Sequence, residues 1–247
     1  MTIPAVEILL LIGLIVFISH ALEAVTGFGC SVLAFPFVIA LLGDLEQSKI
    51  ILSILAWILA LYFVITKFRA IDWKQFGIIV LLAGIGMPAG ILLFNTLDAT
   101  LLKRVLGIFI VISAAIQLYQ FFVPSSGIFA LPKSVYCLFL TAGGMVHGAF
   151  AVGGPLIVLY SAKKIRDKGQ FRATMCLLWT SLNMILILNY FHERKITPAI
   201  GLQLLALLPF LISGIIVGEF VHHKISELLF KKIVFAVLLL VGVSLIV

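Results

Sequence analysis

Two places in the sequence put an ionisable side chain beside a run of small residues. Glu23 lies just before residues 26–31, TGFGCS, and His147 lies just before residues 148–155, GAFAVGGP. A helix that breaks and restarts presents unpaired N–H groups at the positive end of its dipole, and glycine lets a ligand come close to them. Pro155 suits a first helical turn because it has no N–H. This chemistry favours an anion site.

The candidate anion-binding residues lie in the two breaks or on the helix after the second one. They are Thr26, Gly27, Gly29, Cys30, Ser31, His147, Gly148, Gly153, Gly154, Pro155, Arg172 and Asn183. For the hydroxyl and amide side chains, hydrogen bonding between membrane helices is the competing interpretation. For Arg172, the competing interpretation is an anchor at the cytoplasmic interface.

Glu23 and His147 are the candidate proton-coupling residues. An ionisable side chain inside a membrane is costly and marks a functional site by default, and histidine titrates near neutral pH. The competing interpretation places Glu23 at the membrane interface, at the end of its helix. A protonated histidine favours a bound anion, whereas an ionised glutamate repels it.

Composition indicates a polytopic membrane protein. Of the 247 residues, 63% are hydrophobic and 11% charged, with a mean hydropathy of +1.29, whereas a soluble domain is about half apolar and a quarter charged. The net charge of +7 reflects loops beside anionic lipid rather than nucleic acid. Cys30, Cys137 and Cys176 have unrelated spacings, so we expect no disulfide, metal or other cofactor.

Ten apolar segments are expected to be helices that position the breaks. They cover about 3–22, 28–42, 50–66, 75–94, 101–122, 134–149, 153–162, 173–191, 199–221 and 228–246. The second and seventh are too short to cross a bilayer, since about 20 residues are needed. We therefore predict an all-α membrane protein with a broken or re-entrant short helix in each half.

The two halves repeat each other. Glu23 aligns with His147, Gly29 with Gly153 and Trp57 with Trp179, in the same order along the chain. This predicts repeats at 1–122 and 134–247, joined by a linker at 123–133. Alternating loops place twelve of the 17 Lys and Arg residues on one side, which is then cytoplasmic, with both termini outside. Five segments per half make the repeats inverted. For the aligned tryptophans we expect a packing role, with a cavity role as the alternative.

The residues TGFGCSVLAFP and AVGGPLIVLY, each opening a short segment in duplicated halves, resemble the sulfite exporter TauE/SafE family. The resemblance covers essentially the whole chain. Cys30 and Ser31 stand where the family pattern has two glycines, and Ala151 stands where it has one. The resemblance implies transport of small sulfur-containing anions, such as sulfite or sulfonates, across the cytoplasmic membrane.

The leading interpretation is a secondary transporter, an exporter by alternating access with proton coupling as a further expectation. An anion channel or an accessory membrane subunit is an alternative. An intramembrane enzyme using Cys30, His147 or Glu23 is another, although the sequence holds no GxSxG or HExxH motif. The expected partners are a small anionic substrate and membrane lipid, not nucleic acid, and homodimerisation stays open.

Overall fold

The computed structural model describes residues 4–122 and 133–221, and every regular element in these ranges is helical. The helices are α1 Val6–Thr26, α2 Cys30–Leu42, α3 Leu45–Lys67, α4 Trp73–Thr96, α5 Ala99–Phe122, α6 Lys133–Phe150, α7 Gly154–Lys164, α8 Lys168–His192 and α9 Pro198–Val221. A 3₁₀ turn, Phe68–Ala70, follows α3. The prediction of an all-α protein is confirmed. The linker and the tenth segment, 228–246, lie outside the described residues.

Six of the described helices are long and apolar enough to cross a membrane. They are α1, α3, α4, α5, α8 and α9. The 13 residues of α2 and the 11 of α7 reach only roughly 20 and 16 Å at 1.5 Å per residue. Each therefore spans part of a hydrocarbon core about 30 Å thick, as the two short segments predicted.

Two helices begin one turn or more before their predicted starts. Asp44 caps α3 and Asp167 caps α8, and each carboxylate accepts the backbone N–H three residues further on, at 2.9 and 2.8 Å. The apolar runs at 50–66 and 173–191 omit these polar first turns. As a result Lys49 and Arg172, which we expected in or beside loops, are helical, and only 3% and 7% of each is exposed.

The helices pair across the two halves of the chain. α1 packs mainly against α9, α6 packs mainly against α4, and α3 packs against α8. Glycines allow two of these contacts: Gly86 and Gly90 of α4 lie against the backbone of α6, and Gly214 and Gly218 of α9 lie against α1. Hydrophobic side chains between these pairs form one continuous core.

Candidate functional site

The first break is a left-handed turn between α1 and α2. Gly27 has φ +83° and donates its N–H to the Glu23 carbonyl at 2.7 Å, and Gly29 has φ +108° at the start of α2. Both angles favour glycine. The Thr26 hydroxyl donates to the Leu22 carbonyl at 2.9 Å. This hydroxyl therefore stabilises the turn, and an anion contact for Thr26 stays a prediction.

The Glu23 side chain turns back to the start of α2. Its Oε2 accepts the backbone N–H of Cys30 at 2.9 Å, and only 3% of the residue is exposed. The interpretation that Glu23 reaches the membrane interface is wrong, since the side chain is buried against the break. The Cys30 N–H, which we predicted would be available to an anion, instead donates to the carboxylate of Glu23.

The second break repeats this construction between α6 and α7. Ala151 has φ +58° and donates its N–H to the His147 carbonyl at 2.7 Å. Gly153 precedes α7, and Pro155 lies in its first turn. A Cβ on Gly153 would collide with the Gly143 carbonyl and with the Cβ of His147. Gly153 therefore permits a close approach of α6 and α7, rather than presenting open backbone to a ligand.

His147 is held between α6 and α8. Its Nε2 lies 3.1 Å from Oδ1 of Asn183, and its ring stacks on Trp179 with centroids 5.5 Å apart and planes at 22°. With the Asn183 oxygen as acceptor, Nε2 carries the proton in the neutral ring. Nδ1 is buried and has no hydrogen-bond partner among the described residues. That nitrogen becomes a donor when the ring is protonated.

One pocket joins the two breaks. Six of the predicted residues line it, namely Glu23, Gly29, Ser31, His147, Gly154 and Asn183. The cavity has a volume of about 20 Å³, which is room for about one water molecule. Residues of both halves thus surround a single small, polar-lined space.

Trp179 also lines this pocket, and its indole N–H donates to the Gly27 carbonyl at 2.9 Å. For Trp179 these contacts favour the alternative, a cavity role. Its alignment with Trp57 was the available signal, but the alignment does not say which neighbours a side chain meets. Trp57 does not belong to the pocket lining, and its indole N–H has no hydrogen-bond partner in the described part of the chain.

The other predicted residues lie around the pocket rather than in its lining. They are Thr26, Gly27, Cys30, Gly148, Gly153, Pro155 and Arg172. A Cβ on Gly148 would collide with the Met87 carbonyl, so this glycine serves the contact between α6 and α4. The Arg172 guanidinium donates to the Ala24 carbonyl at 2.9 Å and lies 4.7 Å from the ring centroid of Phe63. Arg172 is therefore a buried link between α8 and α1.

Sequence reasoning missed Lys49. Its ammonium group donates to the Gly148 carbonyl at 2.8 Å and stands 3.8 Å from the ring centroid of Phe94. The alignment of Trp57 with Trp179 places Lys49 one position from the equivalent of Arg172. That alignment could have indicated Lys49. We placed Lys49 in a loop instead, because the apolar run at 50–66 begins after it.

Long apolar helices, two short broken ones and a pocket between the breaks define a polytopic membrane protein. The family model described as Sulfite exporter TauE/SafE matches residues 11–245. The chain therefore belongs to this family of membrane exporters, and the resemblance drawn from the two motifs is confirmed. No curated protein matches the chain, and no solved structure does.

Proposed function

We propose that the chain is a secondary transporter that exports small sulfur-containing anions, such as sulfite or sulfonates, across the cell membrane. The observation that carries this proposal is the pocket formed where both breaks meet, lined by Gly29 and Ser31 of one half and by Gly154 and Asn183 of the other. The first turns of α2 and α7 offer N–H groups to an oxyanion there. The family supplies the class of substrate.

Glu23 acts in this proposal as a built-in competitor of the substrate. Its carboxylate holds the Cys30 N–H at 2.9 Å, which is the kind of donor that an oxyanion needs. An ionised Glu23 occupies the start of α2 and repels a second anion. Protonation removes the repulsion and weakens the hydrogen bond, so the substrate can take the N–H. When the substrate leaves, the carboxylate returns and releases its proton.

Other titratable groups surround Glu23 and take part in this balance. Cys30 adjoins it on α2, His147 faces the same pocket, and Cys176 and Arg172 approach from α8. Arg172 is the permanent cation of this group, and its guanidinium is directed to the Ala24 carbonyl. Glu23 and His147 are thus the two titratable groups among the residues that line the pocket.

Alternating access is supported by the way the halves exchange partners. The aligned helices are α1 with α6, α4 with α9 and α3 with α8. A two-fold rotation that exchanges the halves would place α1 on α6 and α9 on α4. It would therefore turn the observed α1–α9 contact into the observed α6–α4 contact. We infer inverted repeats at 1–122 and 134–247, with both termini outside, rocking about the α3–α8 contact.

Counterflow in proteoliposomes tests the proposal. Vesicles loaded with sulfite should accumulate labelled sulfite against its gradient and saturate, and sulfate, thiosulfate and taurine should be compared as competitors. Non-saturating flux would indicate a channel. Glu23→Gln should lose uptake driven by an imposed pH gradient and retain anion exchange, because exchange moves no proton. Glu7→Gln, an exposed change on the same helix, is the matched control and should behave as wild type.

A further inference from the structure

Two buried cations donate hydrogen bonds to backbone carbonyls at equivalent positions of the two halves. The ammonium group of Lys49, on α3, donates to the Gly148 carbonyl at 2.8 Å, and the guanidinium of Arg172, on α8, donates to the Ala24 carbonyl at 2.9 Å. Gly148 and Ala24 are equivalent in the alignment that pairs Glu23 with His147. Each carbonyl lies in the last turn before a break, and each cation lies on a helix of the opposite half.

The two cations lie at opposite ends of the α3–α8 pair. Lys49 is 5.9 Å from the ring centroid of Tyr190, near the end of α8, whereas Arg172 lies near the start of α8. The eighteen residues from Arg172 to Tyr190 span roughly 27 Å at 1.5 Å per residue. Trp179 and Asn183, which line the pocket, lie between them. One cation therefore stands towards each membrane face, with the pocket in the middle.

Neither cation is paired with a carboxylate among the described residues. Beside Lys49, the carboxylates of Glu46 and Glu193 are held by Lys195, at 2.5 and 2.6 Å from its Nζ. Lys49 makes one hydrogen bond of the three that an ammonium group can donate. The Nε atom of Arg172 is buried and has no partner in the described ranges. Both cations thus keep donors to offer.

An oxyanion is a stronger partner for these cations than a backbone carbonyl. A full negative charge attracts a cation more strongly than the partial charge of a carbonyl oxygen does, and a burial of more than nine-tenths reduces screening by water. The neighbouring aromatic faces, Phe94 for Lys49 and Phe63 for Arg172, stabilise the cations without competing for their N–H donors.

We propose that Lys49 and Arg172 are two anion-binding stations, one between the pocket and each membrane face, where the transported oxyanion replaces the Gly148 or Ala24 carbonyl as the cation's partner. This inference rests on the proposed function. Because each carbonyl belongs to the helix ahead of a break, its release removes one hydrogen bond that ties that helix end to the opposite half. Arrival of the anion is thereby linked to opening of the adjacent side.

Sidedness of transport is the decisive measurement. In membrane vesicles of both orientations, with sulfite as the probe, Lys49→Met should raise the half-saturation concentration about tenfold at one face, the size expected for a lost charged hydrogen bond. Arg172→Met should do so at the opposite face. Lys49→Arg and Arg172→Lys keep the cation and should stay within a few-fold of wild type. Equal effects at both faces, or none, overturn the inference.

A second variant keeps the test valid where a methionine variant fails to fold. Lys49→Cys should show the same one-sided loss, and treatment with aminoethyl methanethiosulfonate, which restores an amine, should recover it. Wild type treated in the same way controls for Cys30, Cys137 and Cys176. If the cysteine introduced at position 49 is fully modified by the reagent and transport at the affected face does not recover, the role of Lys49 is contradicted. If the wild-type protein carries no sulfite, the proposed function itself is contradicted. If the wild type transports sulfite normally but the variants affect both faces equally, this inference alone is contradicted.

Discussion

Gly27 and Ala151 make the same left-handed turn at the two breaks, 124 positions apart in the sequence. Each donates its N–H at 2.7 Å to the carbonyl four residues earlier, Glu23 in one half and His147 in the other. The turn aims the two ionisable side chains at one pocket. Glycine takes this conformation without cost, whereas alanine does not.

Replacement of Ala151 by glycine should therefore stabilise the protein. The left-handed conformation costs alanine about 1–2 kcal/mol, and the greater freedom of glycine in the unfolded chain offsets about 0.5–1 kcal/mol of that. We expect the free energy of unfolding to rise by up to about 1 kcal/mol, measured by thermal or chemical unfolding in detergent. Ala149→Gly, two residues earlier within α6, is the control and should lower it by about 1 kcal/mol. A lower stability of Ala151→Gly would contradict the strained turn.

Gly29 and Gly153 should respond differently to alanine, although they are aligned. A Cβ on Gly29 meets no atom within 4 Å, whereas a Cβ on Gly153 would collide with the Gly143 carbonyl. Gly29→Ala should give folded protein of lower stability, because φ +108° strains alanine, and with weaker anion binding, because the methyl group covers the first turn of α2. Gly153→Ala should lower the folded yield. Size-exclusion profiles separate these outcomes from binding titrations with sulfite, and equal folded yields would show that α6 and α7 have room to separate.

The helices were predictable because lipid requires long apolar segments whose backbone groups are paired internally. The starts of α3 and α8 were not predictable in the same way. Their first turns are polar, as at Lys49, and so have the composition of a loop. Asp44 and Asp167 carried the signal, since each is a good N-cap residue.

The breaks were also predictable, because glycine and proline mark them directly. The partners of their backbone groups were not. That the Cys30 N–H is taken by Glu23, or the Gly27 carbonyl by Trp179, depends on how helices pack side by side. Periodicity along a single helix carries no information on such contacts between helices.

Stability at acidic pH should depend on the ion pairs beside the end of α8. Burial raises the pKa of Glu193, but hydrogen bonding and the charge of Lys195 lower it more. The pKa of Glu193 therefore lies below its ordinary value of 4.5. A carboxyl group with a lowered folded-state pKa contributes stability above its unfolded pKa and loses it as pH falls through the folded value. Glu193→Gln should cost about 0.5 kcal/mol at neutral pH and nothing at strongly acidic pH.

Unfolding midpoints across a pH series, at low and high salt, measure this effect. Glu7→Gln, which removes an exposed carboxylate from α1, is the control for a general change of charge. High salt should shrink the difference between Glu193→Gln and wild type, because these side chains are partly exposed. A difference that persists unchanged at strongly acidic pH would argue that the amide disturbs packing instead.

Trp179 and Trp57 provide the sharpest comparison of the two halves, since they are aligned but differ in their hydrogen bonds to the described residues. The Trp179 indole donates to the Gly27 carbonyl at 2.9 Å, whereas the Trp57 indole N–H has none in the described part of the chain. Trp179→Phe keeps an aromatic ring beside His147 but leaves the Gly27 carbonyl unpaired. We expect a loss of about 1 kcal/mol in stability and a severalfold weaker binding of sulfite.

Trp57→Phe is the matched control, because it removes the same group of atoms from the equivalent position without breaking a hydrogen bond. It should keep sulfite affinity near wild type. Isothermal titration with sulfite and unfolding in detergent, run on both variants, decide the matter. Equal losses in the two variants would show that indole size rather than the bond to Gly27 matters, and the first break would then not depend on α8 for its shape.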